Sequence, residues 1–337
     1  MRQMVSLFPE EPLTVICRQG LGDIVREAGV AGKVIEVNKR EPKKWREQRK
    51  EILELKVNHL VCPHESPRTA VLVRQMKVAG MKVGFESWWN GLIFDKRVKK
   101  PMHLPDALRQ LSLLTAMSNS FAEEFSEVGG REDVFNSEDV SNNVDFRHGY
   151  IPVWAELSDL RGIQPARSEG KEKIIYIAPG SAWATKRWTV AGYIEVAKAL
   201  VSEGWQVHIV GSPDERALGD LIKKSVPEVE NFAGTWSLSE TVTNFRRGMA
   251  LIANDSGAIH MAALAGLPTV AIFGPTTLAL GFRPWQRQAI VVQQDLTCRP
   301  CGKHGHQECP IKTHACMVGL APKQVLGALN TLASVNL

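Results

Sequence analysis

The sequence predicts an α/β protein with largely parallel sheets. Short β-branched runs alternate with longer amphipathic stretches, which is the pattern of βα units. A length of 337 residues with 44% hydrophobic residues is enough for two domains. No run of about eighteen apolar residues occurs, and the first residues lack the apolar stretch of a signal peptide, so we expect the chain in the cytoplasm.

The first half contains four candidate strands. They are short runs at Leu13 to Cys17, Lys33 to Val37, His59 to Cys62 and Lys82 to Phe85. Helical stretches are expected at 41–55 and 66–79. Residues 122–147 are rich in acids and poor in large apolar side chains, which predicts an exposed loop or a flexible insertion.

The second half is a clearer series of βα units. Buried strands are expected in "KIIYIAPG", "WQVHIVG", "MALIAN" and "TVAIFG", with helical sequence between them. Ser237 and Glu240 have the spacing of a capping box at a helix start. We therefore place a first domain at residues 1–150, a linker at 151–172 and a Rossmann-like second domain at 173–337.

Basic residues form two clusters in the first half of a chain of net charge +5. Such clusters can attract phosphates, nucleic acid or anionic lipid. Glutamates within the first cluster favour a solvated helix face over direct contacts, while the general positive potential suits an anionic substrate. The first cluster comprises Lys39, Arg40, Lys43, Lys44, Arg46, Arg49 and Lys50, and the second comprises Lys96, Arg97, Lys99 and Lys100.

Two strand ends of the second half carry side chains suited to a phosphate. In an open α/β sheet, ligands bind at the carboxyl ends of the strands. In "APGSAWATKRW", Ser181 can donate a hydrogen bond and Lys186 supplies a point charge. In "NDSGAIHMAAL", Asp255, Ser256 and Gly257 stand at a helix start, where free N–H groups and the helix dipole favour an anion.

Each of these residues also has a structural interpretation. Asp255 or Ser256 can be a helix N-cap. His260 can be a core histidine satisfied by the backbone, and Lys186 a solvated charge. Glu215, just beyond another strand, can hold ribose hydroxyls, or it can be a first-turn glutamate that the helix dipole stabilises. The chain has neither a G-x-G-x-x-G after a strand nor a P-loop, so the residues alone indicate a nucleotide or phosphate site.

Four blocks of the second half stand in a recognisable order: "IAPGSAWATKRW", "GSPDE", "NFAGTWSLSE" and "ALIANDSGAIHMAALAGLPTVAIFGPT". In this order and spacing the chain resembles glycosyltransferase family 9, the ADP-heptose:lipopolysaccharide heptosyltransferases. The resemblance covers nearly all of residues 173–285. It is weaker in the first half, where "VNHLVCPHESPRTAVLVRQM" and "MKVGF" resemble the family's third strand with its loop and the strand after it.

The resemblance implies a GT-B architecture, with two Rossmann-like domains whose parallel sheets face across a cleft. Ser181 and Lys186 match positions that contact the donor diphosphate. Glu215 matches the acid that holds the ribose, and Trp236 matches an apolar contact beside the adenine. Ala182 departs from the pattern, because some members have a second hydroxyl residue there. The family's donor-site motif matches Asp255, Ser256, Gly257 and His260.

The reaction implied is the inverting, metal-independent transfer of a heptose from ADP-heptose to the inner core of lipopolysaccharide. A carboxylate would deprotonate the acceptor hydroxyl, while Lys186 and the helix start at Ser256 meet the charge of the leaving ADP. The expected partners are a nucleotide-sugar and a lipid A-core acceptor, with no nucleic acid, in the cytoplasm or peripherally at the inner face of the inner membrane. A transferase for another nucleotide-sugar, or a nucleotide-binding protein without catalysis, are the alternatives.

The stretch "CRQGLGDIVREAG" contains Asp23, which resembles the family's catalytic base. In family members that base follows the first strand, in a motif much like Gly-Asp. Here Phe8-Pro9 and the strand at 13–17 precede the glycines, as the family's first helix and second strand do. In this register the first strand and the base lie upstream of Met1. We therefore expect a chain that lacks them, with Asp23 as the less favoured base.

Four cysteines near the C-terminus have the spacing C-x2-C-x7-C-x6-C, at Cys298, Cys301, Cys309 and Cys316. Four thiolates in a loop-rich segment can hold a structural zinc ion in tetrahedral coordination. Reduced structural cysteines, or disulfides in an oxidising compartment, are the alternatives. A structural role for segment 298–316 is favoured over catalysis, and the reaction is expected to need no cofactor.

Overall fold

The computed structural model describes residues 1–29, 31–102, 104, 106–129, 150–153, 172–284, 286 and 288–335. This part of the chain forms two compact units, one from the residues up to 129 and one from the residues from 150 onwards. The linker expected at 151–172 falls largely outside the described residues, so the domain boundaries stay a prediction. A helix continues to Gly129, so residues 122–129 are not part of the loop expected at 122–147, and the rest of that stretch lies outside the described residues.

The first unit contains two small parallel sheets, one of strands β1 and β2 and one in the order β3-β4-β5. The strands span Thr14–Arg18 (β1), Lys33–Val37 (β2), Leu60–Cys62 (β3), Lys82–Phe85 (β4) and Lys96–Val98 (β5). The four predicted strands are confirmed to within a residue at each end. Strand β5 was not predicted, because its three residues are mostly exposed and carry no apolar pattern.

Helices connect β1 to β2, β2 to β3 and β3 to β4, whereas a turn connects β4 to β5. Those of the first unit span Arg2–Leu7 (α1), Gly22–Glu27 (α2), Pro42–Glu54 (α3), Pro67–Gln75 (α4), Asp106–Leu111 (α5) and Asn119–Gly129 (α6). Proline begins both α3 and α4, at a position where its missing N–H group has no intrahelical partner to lose. Helices α3 and α4 bury their apolar faces against β2 in a core of Ile35, Ile52, Leu72 and Met76.

The second unit is built on a seven-stranded sheet in the order β6-β12-β11-β10-β7-β8-β9. All neighbours pair in parallel except β6, which is antiparallel to β12. The strands span Tyr150–Val153 (β6), Ile174–Ala178 (β7), Gln206–Ile209 (β8), Glu230–Asn231 (β9), Ala250–Asn254 (β10), Thr269–Phe273 (β11) and Ala289–Gln293 (β12). β7, β10 and β11 are buried along their whole length, which explains their continuous apolar sequence.

The helices of the second unit follow the strands as βα units require. They span Val190–Ser202 (α7), Arg216–Ser225 (α8), Leu238–Phe245 (α9), Gly257–Ala265 (α10), Ala315–Val318 (α11) and Pro322–Val335 (α12). The predicted capping box is confirmed, because Glu240 N–H donates to the Ser237 hydroxyl and Ser237 N–H donates to the Glu240 carboxylate. None of the described helices has both the length and the apolar character needed to cross a membrane. The α/β class with parallel sheets is thus confirmed.

Candidate functional site

The two phosphate-binding candidates meet at one edge of the seven-stranded sheet. β7 and β10 are neighbouring parallel strands, so their carboxyl ends lie side by side. The loop that follows β7 therefore comes against the start of α10, which follows β10. The link is direct, because the Lys186 ammonium lies 2.6 Å from a carboxylate oxygen of Asp255. The structure brings together residues that the sequence placed at two separate strand ends.

Lys186 and Asp255 form a buried ion pair, with side chains 8% and 4% exposed. The Thr276 hydroxyl donates to the same Asp255 oxygen at 2.6 Å. Removal of two charges from water is costly, so such a pair depends on good geometry and on further hydrogen bonds. The interpretation of Lys186 as a solvated charge is therefore wrong. So is that of Asp255 as the helix N-cap, because Ser256 holds that position.

The N-terminus of α10 is open beside this ion pair. Ser256 is the N-cap residue, but its hydroxyl forms no capping hydrogen bond within the described residues. A Cβ added to Gly257 would meet no described atom within 4 Å, so a ligand can approach the backbone closely. The positive end of the helix dipole at this point favours an anion. His260, one turn further along α10, is half-buried and not enclosed in the core.

Asn254, the last residue of β10, fixes the loop after β7, and the sequence analysis gave it no role. Its fully buried side chain donates to the Pro179 carbonyl at 2.7 Å. It accepts the Trp188 N–H at 3.0 Å and the Tyr193 hydroxyl at 2.9 Å. Burial raises the pKa of Tyr193 well above its ordinary value, which keeps this phenol a donor. One polar residue at the end of an apolar strand was the only signal in the sequence.

Glu215 bends back over the ends of β7 and β8. A Cβ added to Gly180 would lie 2.0 Å from Glu215 Oε1, and one added to Gly211 would lie 2.7 Å from Oε2. Only glycine therefore leaves room for the carboxylate at both strand ends. Glu215 also accepts the Ser212 N–H at 2.7 Å, as a first-turn glutamate is expected to do. The carboxylate lies beside the loop that carries Ser181, and its contact with a ribose stays a prediction.

Trp236 follows β9 and packs against two aromatic side chains, Phe232 and Tyr176. Its ring stacks on Phe232, with centroids 4.6 Å apart and planes 17° from parallel. Its indole also meets the edge of Tyr176 at 6.3 Å between centroids, and burial raises the pKa of Tyr176 to about 12. Trp236 itself is half-buried. A flat, partly exposed indole can stack on a base, but its contact with adenine stays a prediction.

Segment 298–316 holds the Lys186 loop in place through the preceding residue, Thr185. The Thr185 N–H and hydroxyl both donate to the His306 carbonyl, at 3.1 and 2.7 Å. The His306 N–H donates to the Thr185 hydroxyl at 2.8 Å, and His314 Nε2 donates to the Thr185 carbonyl at 2.8 Å. The backbone and side chain of Thr185 are therefore both paired with this segment. Sequence reasoning missed the contact because the partners are 121 and 129 positions away.

A cavity of 570 Å³ lies in the first unit, at the carboxyl ends of β1 and β2. Its lining includes the basic residues Arg18, Lys39 and Arg40. The Lys39 ammonium donates to the Thr69 hydroxyl at 3.3 Å, and that hydroxyl lies 3.0 Å from His64 Nδ1. Lys39 and Arg40 precede α3, so the solvated helix face expected for the first basic cluster does not include them. Together these side chains make a cationic, hydrogen-bonding cavity.

Comparison with known proteins identifies the family of the chain. The family model of glycosyltransferase family 9 (heptosyltransferase) matches residues 60–312, which is more than half of the chain. The chain belongs to glycosyltransferase family 9. The matched range includes the Lys186 loop, the start of α10 and most of segment 298–316.

Relatives of this family 9 chain include two bacterial heptosyltransferases. Lipooligosaccharide heptosyltransferase 2 of Campylobacter jejuni serotype O:6 is 30% identical over 182 residues, which are 52% of this chain and 56% of that protein. Lipopolysaccharide heptosyltransferase 2 of Escherichia coli K12 is 30% identical over 165 residues, which are 47% of this chain and 46% of that protein. The chain spans about half the length of the curated relatives it matches.

Solved structures of the family share the fold. The glycosyl transferase family 9 protein of Veillonella parvula superposes with a TM-score of 0.72 at 17% identity, over 99% of this chain and 92% of that chain. E. coli ADP-heptose lps heptosyltransferase II gives 0.67 at 20% identity, over 99% and 93%. E. coli heptosyltransferase WaaC with ADP gives 0.68 at 14% identity, over 98% and 93%. The expected GT-B fold class is confirmed.

Asp23, the less favoured candidate for the base of this family 9 chain, lies at the start of α2. Its side chain is 70% exposed and pairs with Arg26 at 2.6 Å, and it is not among the residues that line the cavity. The Gly-rich turn before it holds an internal anion, because Gly20 N–H and Gly22 N–H donate to the Glu36 carboxylate at 2.7 and 3.0 Å. These N–H groups lower the pKa of Glu36. The turn therefore binds its own glutamate.

The cysteines of the family 9 chain form no disulfide in the structure. Each of the six lies within the described ranges and is a free thiol, so the disulfide interpretation gains no support. Within those ranges no three His, Cys, Asp or Glu side chains come together to hold a metal ion, and the predicted zinc gains no support. Burial raises the pKa of Cys316 to about 11, and the His314 N–H lowers that of Cys309. Arg299 anchors the segment, donating to the Thr276 carbonyl at 2.6 Å.

Proposed function

We propose that this chain is an inverting glycosyltransferase that moves a heptose from ADP-heptose to the inner core of lipopolysaccharide. Its relatives carry the names of lipopolysaccharide and lipooligosaccharide heptosyltransferases. The observation that carries the proposal is the buried Lys186–Asp255 pair beside the open N-terminus of α10. A fixed cation and free N–H groups at one point are what a departing diphosphate requires.

The Lys186 ammonium has three N–H donors, of which one meets Asp255 and the others can serve the diphosphate. The first N–H groups of α10, at and after Gly257, add partial positive charge. The buried Ser181 supplies a hydroxyl from the same loop. Because Thr185 and its partners hold the loop before the donor arrives, these groups need little reorganisation when charge develops on ADP. The transfer we propose is therefore metal-independent.

The nucleoside of the donor fits the groups next to the diphosphate site. Glu215 would exchange its Ser212 N–H partner for ribose hydroxyls, which are donors of comparable strength. Trp236 would lie beside the adenine, with Phe232 supporting its other face. His260, half-buried on α10, would contact the sugar or the diphosphate. This order of groups favours a nucleoside diphosphate sugar over a lone phosphate.

The acceptor is assigned to the cavity of the first unit. An inner-core acceptor carries carboxylates and phosphates, and Arg18, Lys39 and Arg40 line the cavity with positive charge. Its volume of 570 Å³ is within the usual range for small-molecule sites. We place the reaction at the inner face of the inner membrane, where such an acceptor is anchored.

One observation favours a second function, nucleotide binding without transfer. The described residues that line the cavity include no carboxylate, and Asp23 is exposed and paired with Arg26. A general base must lie within hydrogen-bond reach of the acceptor hydroxyl. If the reaction needs a carboxylate base, as the family resemblance implies, these residues do not supply it, and the chain binds the donor and does not turn it over.

A transfer assay separates the two functions. The full chain is incubated with ADP-heptose and a heptose-free lipid A-core acceptor, and mass spectrometry follows the acceptor while ADP release is measured. An added heptose with equimolar ADP is the outcome expected of the transferase. Calorimetric binding of ADP-heptose with no modified acceptor would establish the second function instead. No binding of ADP-heptose would contradict both.

A further inference from the structure

The turn between β4 and β5, residues 86–95, presents large apolar side chains to solvent. The Trp88 side chain is 96% exposed and Leu92 is 89% exposed. Single exposed apolar residues are common, but a tryptophan in nearly full contact with water is a costly surface feature. Two such side chains on one turn make it a candidate surface for an apolar partner.

The turn is held firmly by the protein beneath it. The Asn90 side chain, 3% exposed, accepts the Ser87 N–H at 3.0 Å and donates to the Phe85 carbonyl at 2.8 Å. The Ile93 N–H donates to the Asn90 carbonyl at 3.1 Å. On the far side, the ring of Phe94 occupies the space that a Cβ on Gly84 would need. The exposed side chains are therefore presented by an ordered backbone.

Cations lie next to the turn and along the strand that follows it. The Arg97 guanidinium lies against the turn, 3.4 Å from the position of a Cβ on Gly91, and Lys96 and Lys99 are exposed. Among the described residues none of these three cations forms an ion pair, whereas Lys100 pairs with Glu65 at 2.5 Å. Two acids, Glu86 and Asp95, lie on the same turn, and Asp95 accepts the Lys82 N–H. Because the three cations outnumber these two acids, the rim of the turn carries a net positive charge.

We propose that residues 86–99 form a docking surface for an anionic lipid bilayer. Trp88 and Leu92 enter the boundary between headgroups and acyl chains. An indole is stable at this boundary because it is both apolar and a hydrogen-bond donor. Lys96, Arg97 and Lys99 meet the anionic headgroups, each adding an attraction that salt screens. The apolar tip and its cationic rim together match the chemistry of such a bilayer. A purely apolar partner would not contact the cations, and a purely charged partner would not cover Trp88 and Leu92.

The position of the docking surface in the first unit supports this assignment. β3, β4 and β5 are parallel neighbours, so the turn leaves β4 at the same sheet edge where the loop with His64 leaves β3. The Glu86 N–H donates to the Val98 carbonyl at 2.9 Å and marks that edge. His64 lines the cavity, so Trp88 and the cavity share one edge of the unit. Docking itself does not depend on what the cavity binds.

Vesicle sedimentation tests the docking surface. The full chain is mixed with vesicles of equal parts phosphatidylglycerol and phosphatidylcholine, or of phosphatidylcholine alone, at low salt. We expect binding to the anionic vesicles to be at least about tenfold tighter and to weaken as salt is added. The double variant Trp88→Ser with Leu92→Ser should lose at least about tenfold in binding, because both side chains leave the bilayer.

The matched control is Leu221→Ser on α8 of the second unit, a leucine that is 55% exposed with no assigned role. It should bind the anionic vesicles as the unaltered chain does. Thermal unfolding of each variant confirms that the changes leave the fold intact. The docking surface is refuted if the unaltered chain does not bind anionic vesicles. It is also refuted if the double variant binds them as tightly as the Leu221→Ser control does.

Discussion

The variant Lys186→Met should weaken both the fold of the second unit and the binding of ADP. Methionine keeps most of the side-chain volume but leaves the Asp255 carboxylate, 4% exposed, without its cation. Removal of one partner of a buried ion pair costs about 3–5 kcal/mol of the free energy of unfolding. The Thr276 hydroxyl still donates to Asp255, so we expect the lower end, about 3 kcal/mol.

The loss of ADP affinity follows from a different contact. A charge-assisted hydrogen bond to a phosphate is worth about 1.5–3 kcal/mol, so the Kd for ADP should rise roughly ten- to hundredfold. The double variant Lys186→Met with Asp255→Asn separates the two effects, because the neutral amide no longer needs a cation. Its stability should largely return, while its affinity for ADP stays low.

Urea unfolding followed by circular dichroism measures the stability, and titration calorimetry measures ADP binding. The matched control is Lys198→Met, an exposed lysine on α7, which should change neither quantity. ADP binding by Lys186→Met that equals that of the unaltered chain would refute the diphosphate site. Unfolding of Lys186→Met that equals that of Lys198→Met would refute the buried pair.

Thr185→Val keeps the side-chain shape but removes the hydroxyl that joins the Lys186 loop to segment 298–316, so calorimetry should show a Kd for ADP several-fold higher. Thr185→Ser should bind normally, and equal affinities for the two variants would count against the role. The backbone N–H groups that lower the pKa of Glu36 stabilise the fold above the ordinary pKa of a glutamate. This stabilisation is lost as the pH falls through the lowered value, so Glu36→Gln should flatten the acid side of a plot of urea stability against pH, and an unchanged acid side is the contrary result. Among the cysteines of segment 298–316, iodoacetamide at mildly alkaline pH should label Cys309 first and Cys316 last, because their pKa values are shifted down and up. Peptide mass spectrometry gives the order, and the reverse order would show that the two thiols are placed differently.

The position of the candidate site could be predicted from the sequence, because it follows from strand direction. β7 and β10 are buried along their length, so both could be predicted from their continuous apolar sequence. Parallel strands end at the same edge of a sheet, so the sequence placed Lys186 and Asp255 at strand ends of one domain, while their ion pair came only from the structure. The helix start at Ser256 and Gly257 could also be predicted, because these residues closely follow a predicted strand.

The supports of the site could not be predicted, because they join residues that are distant along the chain. Thr185 contacts His306, which is 121 positions away along the chain, and no local sequence pattern predicts such a contact. The Gly-rich turn looked like an anion site, and it is one, but Glu36 from the next strand fills it. A pattern of glycines shows that N–H groups are available. It does not show which anion takes them.

Titration of the full chain with ADP, UDP and GDP tests the central claim most directly. Lys186 and the start of α10 are proposed to bind the diphosphate and Trp236 the adenine, so ADP should bind at least about tenfold more tightly than either of the other nucleotides. ADP binding that requires Lys186 would support the site, and preference for adenine would support the donor. Equal affinity for all three would contradict the assignment of ADP-heptose, and no binding of any of them would contradict the donor site itself.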